Sequence, residues 1–140
     1  MKEGLIDANV ILRYLTKDPP AMAEAALKIF DEARTGKISL SIIPITVAEV
    51  VWVLESFYGY SKQQITETMT QFLMCEGLEV ESLDLLIGAL SLYHEKNLDF
   101  ADAVLAITAL RKGPKMVYSF DRHLNRVDGL KRLDPGPVNS

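Results

Sequence analysis

Apolar positions along the chain follow two rhythms, and the breaks between them predict its elements. Short runs rich in apolar or β-branched residues read as strands: Gly4-Leu5-Ile6, ending in Asp7; Lys37 to Ile43 (KISLSII); Leu78 to Glu81; Lys115 to Ser119 (KMVYS); and Leu130 to Leu133. Between them the apolar residues recur at helical spacing. Ala8 to Leu15 reads as a short helix stopped by Lys17-Asp18-Pro19-Pro20. Ala21 to Arg34 carries Met22, Ala26, Ile29, Phe30 and Ala33 on one face and ends at Gly36. Ile45 to Tyr58, after the break at Pro44, is a strongly apolar helix stopped at Gly59. Ser61 is placed to cap a helix in which Ile65, Met69, Phe72 and Leu73 share a face. Leu83 to Lys96 and Phe100 to Lys112 complete the set, the last ended by Gly113-Pro114. The tail from Pro135 carries no pattern. Strands alternating with helices predict an α/β chain with a mostly parallel sheet and helices on both faces. Binding sites in such sheets form beyond the carboxyl ends of the strands.

Length adds that 140 residues suffice for one ordinary domain, and the chain shows no repeat, linker or low-complexity run. A hydrophobic share of 49% beside 24% charged residues is that of a folded globular protein, and nothing approaches the ~20 unbroken apolar residues of a membrane helix. The few residues before the first strand leave no room for a signal peptide, and the single cysteine, Cys75, excludes an internal disulfide. A cytoplasmic location is the expectation. The net charge of −4 argues against coating nucleic acid by bulk charge, but not against a nuclease whose acidity is gathered at a cation site.

Candidate chemistry lies in the acids at strand ends and in first helical turns. Asp7 ends the first strand, where it could also cap the helix that follows. Glu49 lies three residues after Thr46, a match to the capping box, but its neighbours Val47, Ala48, Val50, Val51 and Trp52 leave little polar surface, and an acid there calls for a partner. Asp99 is placed to cap the last long helix, with Asp102 in its first turn; Asp121 follows the KMVYS strand and could be a turn residue. Each acid has a structural explanation when taken alone. Gathered on one sheet edge they would repel, and a divalent cation removes that conflict. An all-carboxylate site suits Mg²⁺ or Mn²⁺; zinc is disfavoured, since Cys75, His94 and His123 show no ligand spacing. Such a site is equipped for phosphodiester hydrolysis. No Walker loop, GxSxG elbow or dinucleotide-binding glycine pattern is present.

Four segments in order, LIDANVILRYL, ITVAEVVWVL, LDFADAVLAITAL and VYSFDRHL, resemble the PIN-domain ribonucleases, and among them the VapC toxins of VapBC toxin–antitoxin pairs. The resemblance runs from about Leu5 to Pro135. It implies a three-layer α/β/α fold, metal-dependent RNA cleavage, a homodimer, and a VapB-like antitoxin whose C-terminal segment covers the acidic groove. Position by position, it implies Asp7, Glu49, Asp102 and Asp121 as metal-binding acids. Asn9 matches the polar residue that orients the first acid or the phosphate, and Asp99 and Ser119 are supporting residues. Some relatives carry a further acid where this chain has His123, which puts a full second metal site in doubt. Arg13, Lys17, Arg122 and Arg126 are candidates for RNA phosphates, and Trp52, Phe57, Ile65, Met69 and Phe72 for partner contacts, with ordinary core the competing reading for the apolar ones.

Two rivals belong to other classes. A PIN-like module that only binds a protein or RNA partner is expected to have lost one of the acids. A phosphatase of the haloacid dehalogenase type needs a second acid where Asp7-Ala8-Asn9-Val10 has Asn9, and a response-regulator receiver needs paired acids after the first strand. Neither enzyme rival gives Glu49 a role.

Overall fold

The computed structural model describes residues 2–136. The last four residues of the expected unstructured tail lie outside them. The chain divides into two compact units, Met1–Leu83 and Asp84–Ser140.

In the first unit, strands β1 (Lys2–Leu5), β2 (Ile38–Ile42) and β3 (Leu78–Val80) form a parallel sheet in the order β1-β2-β3, with Gly4 opposite Leu40 and Ile42 opposite Val80. Parallel neighbours require long crossovers. Helices α1 (Ala8–Thr16) and α2 (Pro20–Arg34) make the first crossover, and α3 (Pro44–Ser56) and α4 (Lys62–Leu73) the second. Because β1 and β2 run in the same direction, α1 and α3, which follow them, both start at the carboxyl edge of the sheet.

Local chemistry sets the helix limits. Lys17 leaves α1 in the left-handed conformation, its N–H donating to the Arg13 carbonyl. Proline stands at the first position of both α2 and α3, where its missing N–H loses nothing. Ser61 caps α4 in a reciprocal box: its hydroxyl accepts from the Gln64 N–H, and the Gln64 side chain accepts from the Ser61 N–H. The unit's core joins Ile11 and Leu12 of α1 to Val47, Val50, Val51 and Leu54 of α3 and Ile65 and Met69 of α4. Tyr14, Phe30 and Phe72 pack as an aromatic trio with centroids 4.5–6.0 Å apart.

The sharpest steric constraint falls on Gly77, just before β3. It sits at φ +89°, and a Cβ there would lie 2.3 Å from the Ala33 carbonyl oxygen. Gly77→Ala is therefore expected to destabilise the protein by about 2 kcal/mol or more, the sum of left-handed backbone strain and a clash with main chain. Urea denaturation checks this, and a loss below about 0.5 kcal/mol would show that the backbone at Gly77 relaxes freely.

In the second unit, α5 (Leu83–Glu95) buries Leu86, Ala89, Leu90 and Tyr93, and α6 (Phe100–Lys112) buries Phe100, Ala103 and Ala106. Tyr93 meets Phe100 edge-on at 5.8 Å. Gly88 lets the helices approach closely, since a Cβ on it would lie 3.0 Å from the Ile107 side chain. Strands β4 (Met116–Tyr118) and β5 (Lys131–Leu133) pair in parallel, joined through a 3₁₀ turn, Arg122–Arg126, that the sequence pattern did not signal. The α/β class with parallel strands is the one expected, with the strands shared between the units as three and two.

Candidate active site

Asp7 stands where β1 ends and α1 begins, and it is exposed. Its Oδ1 accepts from the backbone N–H groups of Asn9 (2.8 Å) and Val10 (3.3 Å). Capping thus occupies one carboxylate oxygen. The second oxygen has no part in the cap, so the structural and functional readings of Asp7 are compatible. Asn9, in the first turn of the helix, is also exposed.

Glu49 corrects one expectation and removes an alternative. It is exposed, so its apolar sequence neighbours do not bury it: Val47, Val50 and Val51 point into the core, while Ile45, Glu49 and Trp52 share the outer side of α3. The capping box is not formed either. α3 starts at Pro44 with Ile43 as its cap residue and no side-chain cap bond, so Thr46 already lies inside the first turn and is buried. Glu49 is left as an acid without a capping duty.

In the second unit the structure brings Asp102 and Asp121 together. Asp102 lies in the first turn of α6, half-buried, and Asp121 begins the 3₁₀ turn beyond the carboxyl end of β4. Their carboxyl groups lie close enough to act on each other. Partial burial pushes the Asp102 carboxyl above the usual carboxylate range, and the neighbouring Asp121 carboxyl and the charge of Asp99 act the same way, with His123 opposing them. Asp121 is held below the usual range, chiefly because its Oδ1 accepts from the His123 N–H at 2.9 Å. The His123 ring Nδ1 stands 3.3 Å from the same oxygen. The two carboxyls are thus pushed in opposite directions, Asp102 toward the protonated form and Asp121 toward the charged one.

Two supporting residues are placed differently. The Ser119 hydroxyl accepts from the Asp121 N–H at 2.9 Å, fixing the backbone at that acid. Asp99 holds the cap position of α6 but makes no side-chain cap bond, contrary to the sequence expectation. Its charge acts on Asp102 instead.

Oxygen-only donors fit a hard divalent cation, and the negative charge gathered around Asp102 marks a place where positive charge is favoured. Among the described residues, no group of three or more His, Cys, Asp or Glu side chains is arranged to hold a metal ion.

A family model for the PIN domain matches residues 4–130, across both units. The chain belongs to the PIN domain family. Over 131 residues it is 27% identical to a protein of Aquifex aeolicus (strain VF5) named as a VapC ribonuclease, covering 94% of this chain and 96% of that protein.

The remaining candidates of this PIN chain separate by environment. Arg13 is half-buried and donates from Nη1 to the Asp18 carbonyl at 3.1 Å, tying the end of α1 to the turn that follows. Beside it, Asp7, Asn9, Val10, Met22, Ala26 and Ile29 line a groove of about 340 Å³ between α1 and α2. Lys17 and Arg122 are exposed. Arg126, a candidate for RNA phosphate, donates to main-chain carbonyls of Lys96 and Asn97. Ile65, Met69 and Phe72 are core, as the competing reading held, whereas Trp52 and Phe57 are 69% and 78% exposed. Among the described residues no helix is long and apolar enough to cross a membrane. Sequence reasoning gave no role to Arg132, whose side chain reaches the Ser119 carbonyl; a Lys-Arg-Leu strand carries no signal of that contact.

Proposed function

We propose that this PIN-domain protein is a metal-dependent endoribonuclease, the toxin of a type II toxin–antitoxin pair. Asp7, Glu49, Asp102 and Asp121 are its metal-binding acids, for Mg²⁺ or Mn²⁺. The observation that carries this reading is the Asp102–Asp121 carboxyl pair, two acids brought together at a strand end where burial and neighbouring negative charge disfavour an ionised Asp102 and a cation would relieve the conflict. The Aquifex relative, by its name, supports RNA as the substrate class. A bound divalent cation supplies positive charge against the scissile phosphate and lowers the pKa of the attacking water.

The protein's own groups divide the remaining work. Asp7 offers the carboxylate oxygen that its cap leaves free, next to the α1 N-terminus, whose dipole favours the negative charge of a phosphate. Asn9 steadies Asp7 or the phosphate, and Ser119 fixes Asp121. Glu49 presents its carboxylate to solvent from α3. Arg13 and Arg122 are offered as RNA contacts, with Arg122 the freer of the two. The partners are a VapB-like antitoxin and a second copy of the chain, in the cytoplasm.

The test is cleavage of a pool of single-stranded and structured RNA by protein freed of antitoxin, in Mg²⁺, Mn²⁺ or EDTA. Cutting that needs the metal is expected. Folded protein that cuts nothing in any condition would favour a module that only binds a protein or RNA partner.

A further inference from the structure

We infer that Arg132 and Arg126 are positioning residues that hold Asp121 against Asp102 from two sides. This rests on the reading of Asp121 as a member of the active site.

The segment that carries Asp121 lies between β4 and the 3₁₀ turn, outside any strand ladder, so something else must fix it. Arg132 does so from β5, where its main chain is in register with Val117. Its side chain is only 11% exposed. Nη1 donates to the Ser119 carbonyl at 2.7 Å and Nε to the Asn125 Oδ1 at 3.0 Å, with the Asp134 carboxylate 3.8 Å from Nη1. One planar guanidinium therefore bridges the residue that enters the loop and a residue near the end of the 3₁₀ turn. Asp121 lies between those two points, and its own N–H is held by the Ser119 hydroxyl. A rigid fork of donors suits this bridge, and a lysine ammonium could not reproduce both bonds in one plane.

Arg126 makes the second tie. Its Nη1 donates to the carbonyls of Asn97 (2.8 Å) and Lys96 (3.3 Å). Those carbonyls belong to the turn that leads into α6, where Asn97 takes a left-handed φ of 50°. Asp99 and Asp102 follow within the next five residues. The end of the 3₁₀ turn that starts at Asp121 is thus fastened to the entry of the helix that carries Asp102. Together the two arginines set the separation of the two carboxyl groups. Arg132 is too enclosed to meet RNA, and Arg126 has its Nη1 engaged by main chain.

The experiment compares full-length Arg132→Gln, Arg126→Gln, Asn125→Ala and Asp121→Asn with the parent. Binding of Mn²⁺ alone, without RNA, is read from the free-ion signal in electron paramagnetic resonance. kcat and KM are then measured on an RNA oligonucleotide that the parent cuts. Both arginine variants are expected to need ~10-fold or more Mn²⁺ for half-saturation, the usual effect of losing a group that orients a metal ligand. They are expected to lose kcat with KM little changed. Asn125→Ala removes only the acceptor of Nε, at an exposed residue, and is expected to shift Mn²⁺ binding in the same direction even if Arg132→Gln does not fold. Parental Mn²⁺ binding in Asn125→Ala and Arg126→Gln overturns the inference, and a raised KM with unchanged Mn²⁺ binding would make Arg126 an RNA contact instead. If Asp121→Asn itself binds Mn²⁺ and cuts like the parent, the reading of Asp121 fails first. If Asp121→Asn loses both while the arginine variants keep both, only the positioning role fails.

Discussion

Asp7→Asn is expected to lower RNA cleavage by more than ~100-fold, since losing groups that merely support a metal ligand already costs 10–100-fold. The same substitution should leave folding stability within about 0.5 kcal/mol of the parent, because Asn caps a helix as well as Asp does. Asp7→Ala separates the two duties of the side chain. It removes the ligand and also the acceptor of the Asn9 and Val10 N–H groups, so activity should fall as far while stability drops by about 1 kcal/mol. Cleavage of an RNA oligonucleotide in Mn²⁺, beside urea denaturation of all three proteins, reads both effects. An Asp7→Asn protein that cuts at the parental rate would reduce Asp7 to a helix cap.

Asp102→Asn is expected to abolish cleavage to a similar degree and yet to stabilise the metal-free protein at neutral pH. The sign follows from the direction of the shift. Folding raises the Asp102 pKa, so the folded state favours the protonated acid. That contribution is fully present below the ordinary carboxylate value of about 3.9 and is lost as pH rises through the raised one. At pH 7 the ionised carboxyl is a liability in the folded state, and Asn, which mimics the protonated form, removes it. The difference between parent and variant should shrink as the pH is lowered. Asp121 behaves oppositely: its lowered pKa gives stability that is present above the ordinary value and fades as pH falls through the lowered one. Metal reverses the order of the two proteins. Mn²⁺ at 100 times its dissociation constant should stabilise the parent by about 2.7 kcal/mol and the variant by much less. Thermal melts in EDTA and in Mn²⁺, at acid and neutral pH, give all four comparisons. A variant less stable than the parent at pH 7 in EDTA would mean that Asp102 is held as a structural partner of Asp121.

The element boundaries were legible because the residues that start or stop helices do so locally, prolines and glycines through their own backbone and Ser61 through its hydroxyl. Pro19-Pro20, Pro44, Gly59, Ser61 and Gly113-Pro114 each mark an end that the structure places within a residue or two. The acids were legible as a set of positions but not as environments. The apolar neighbours of Glu49 suggested burial, yet a helix turns each residue by its own angle, and Glu49 falls on the outer side between Ile45 and Trp52. A cap at Thr46 needs the helix to begin at Val47, and the actual start at Pro44, three residues earlier, places Thr46 inside the first turn. Asp99 fails in the opposite sense, at the right position for a cap but without the bond. The arginine contacts were beyond reach. Arg126 meets carbonyls some 30 residues earlier in the chain, and Arg132 one 13 residues earlier, distances at which no local pattern operates.

The double duty proposed for Asp7 also bears on how such a chain would be inactivated in a population. An Asp codon becomes an Asn codon by a single base change. Where an acid also holds the fold, a replacement that loses that duty gives a less stable product, which a cell removes by proteolysis. Here the replacement keeps the cap, so the expected product is a folded, abundant and silent protein. Selection against the activity would therefore favour Asp7→Asn over truncation wherever the inert chain still has a partner to occupy.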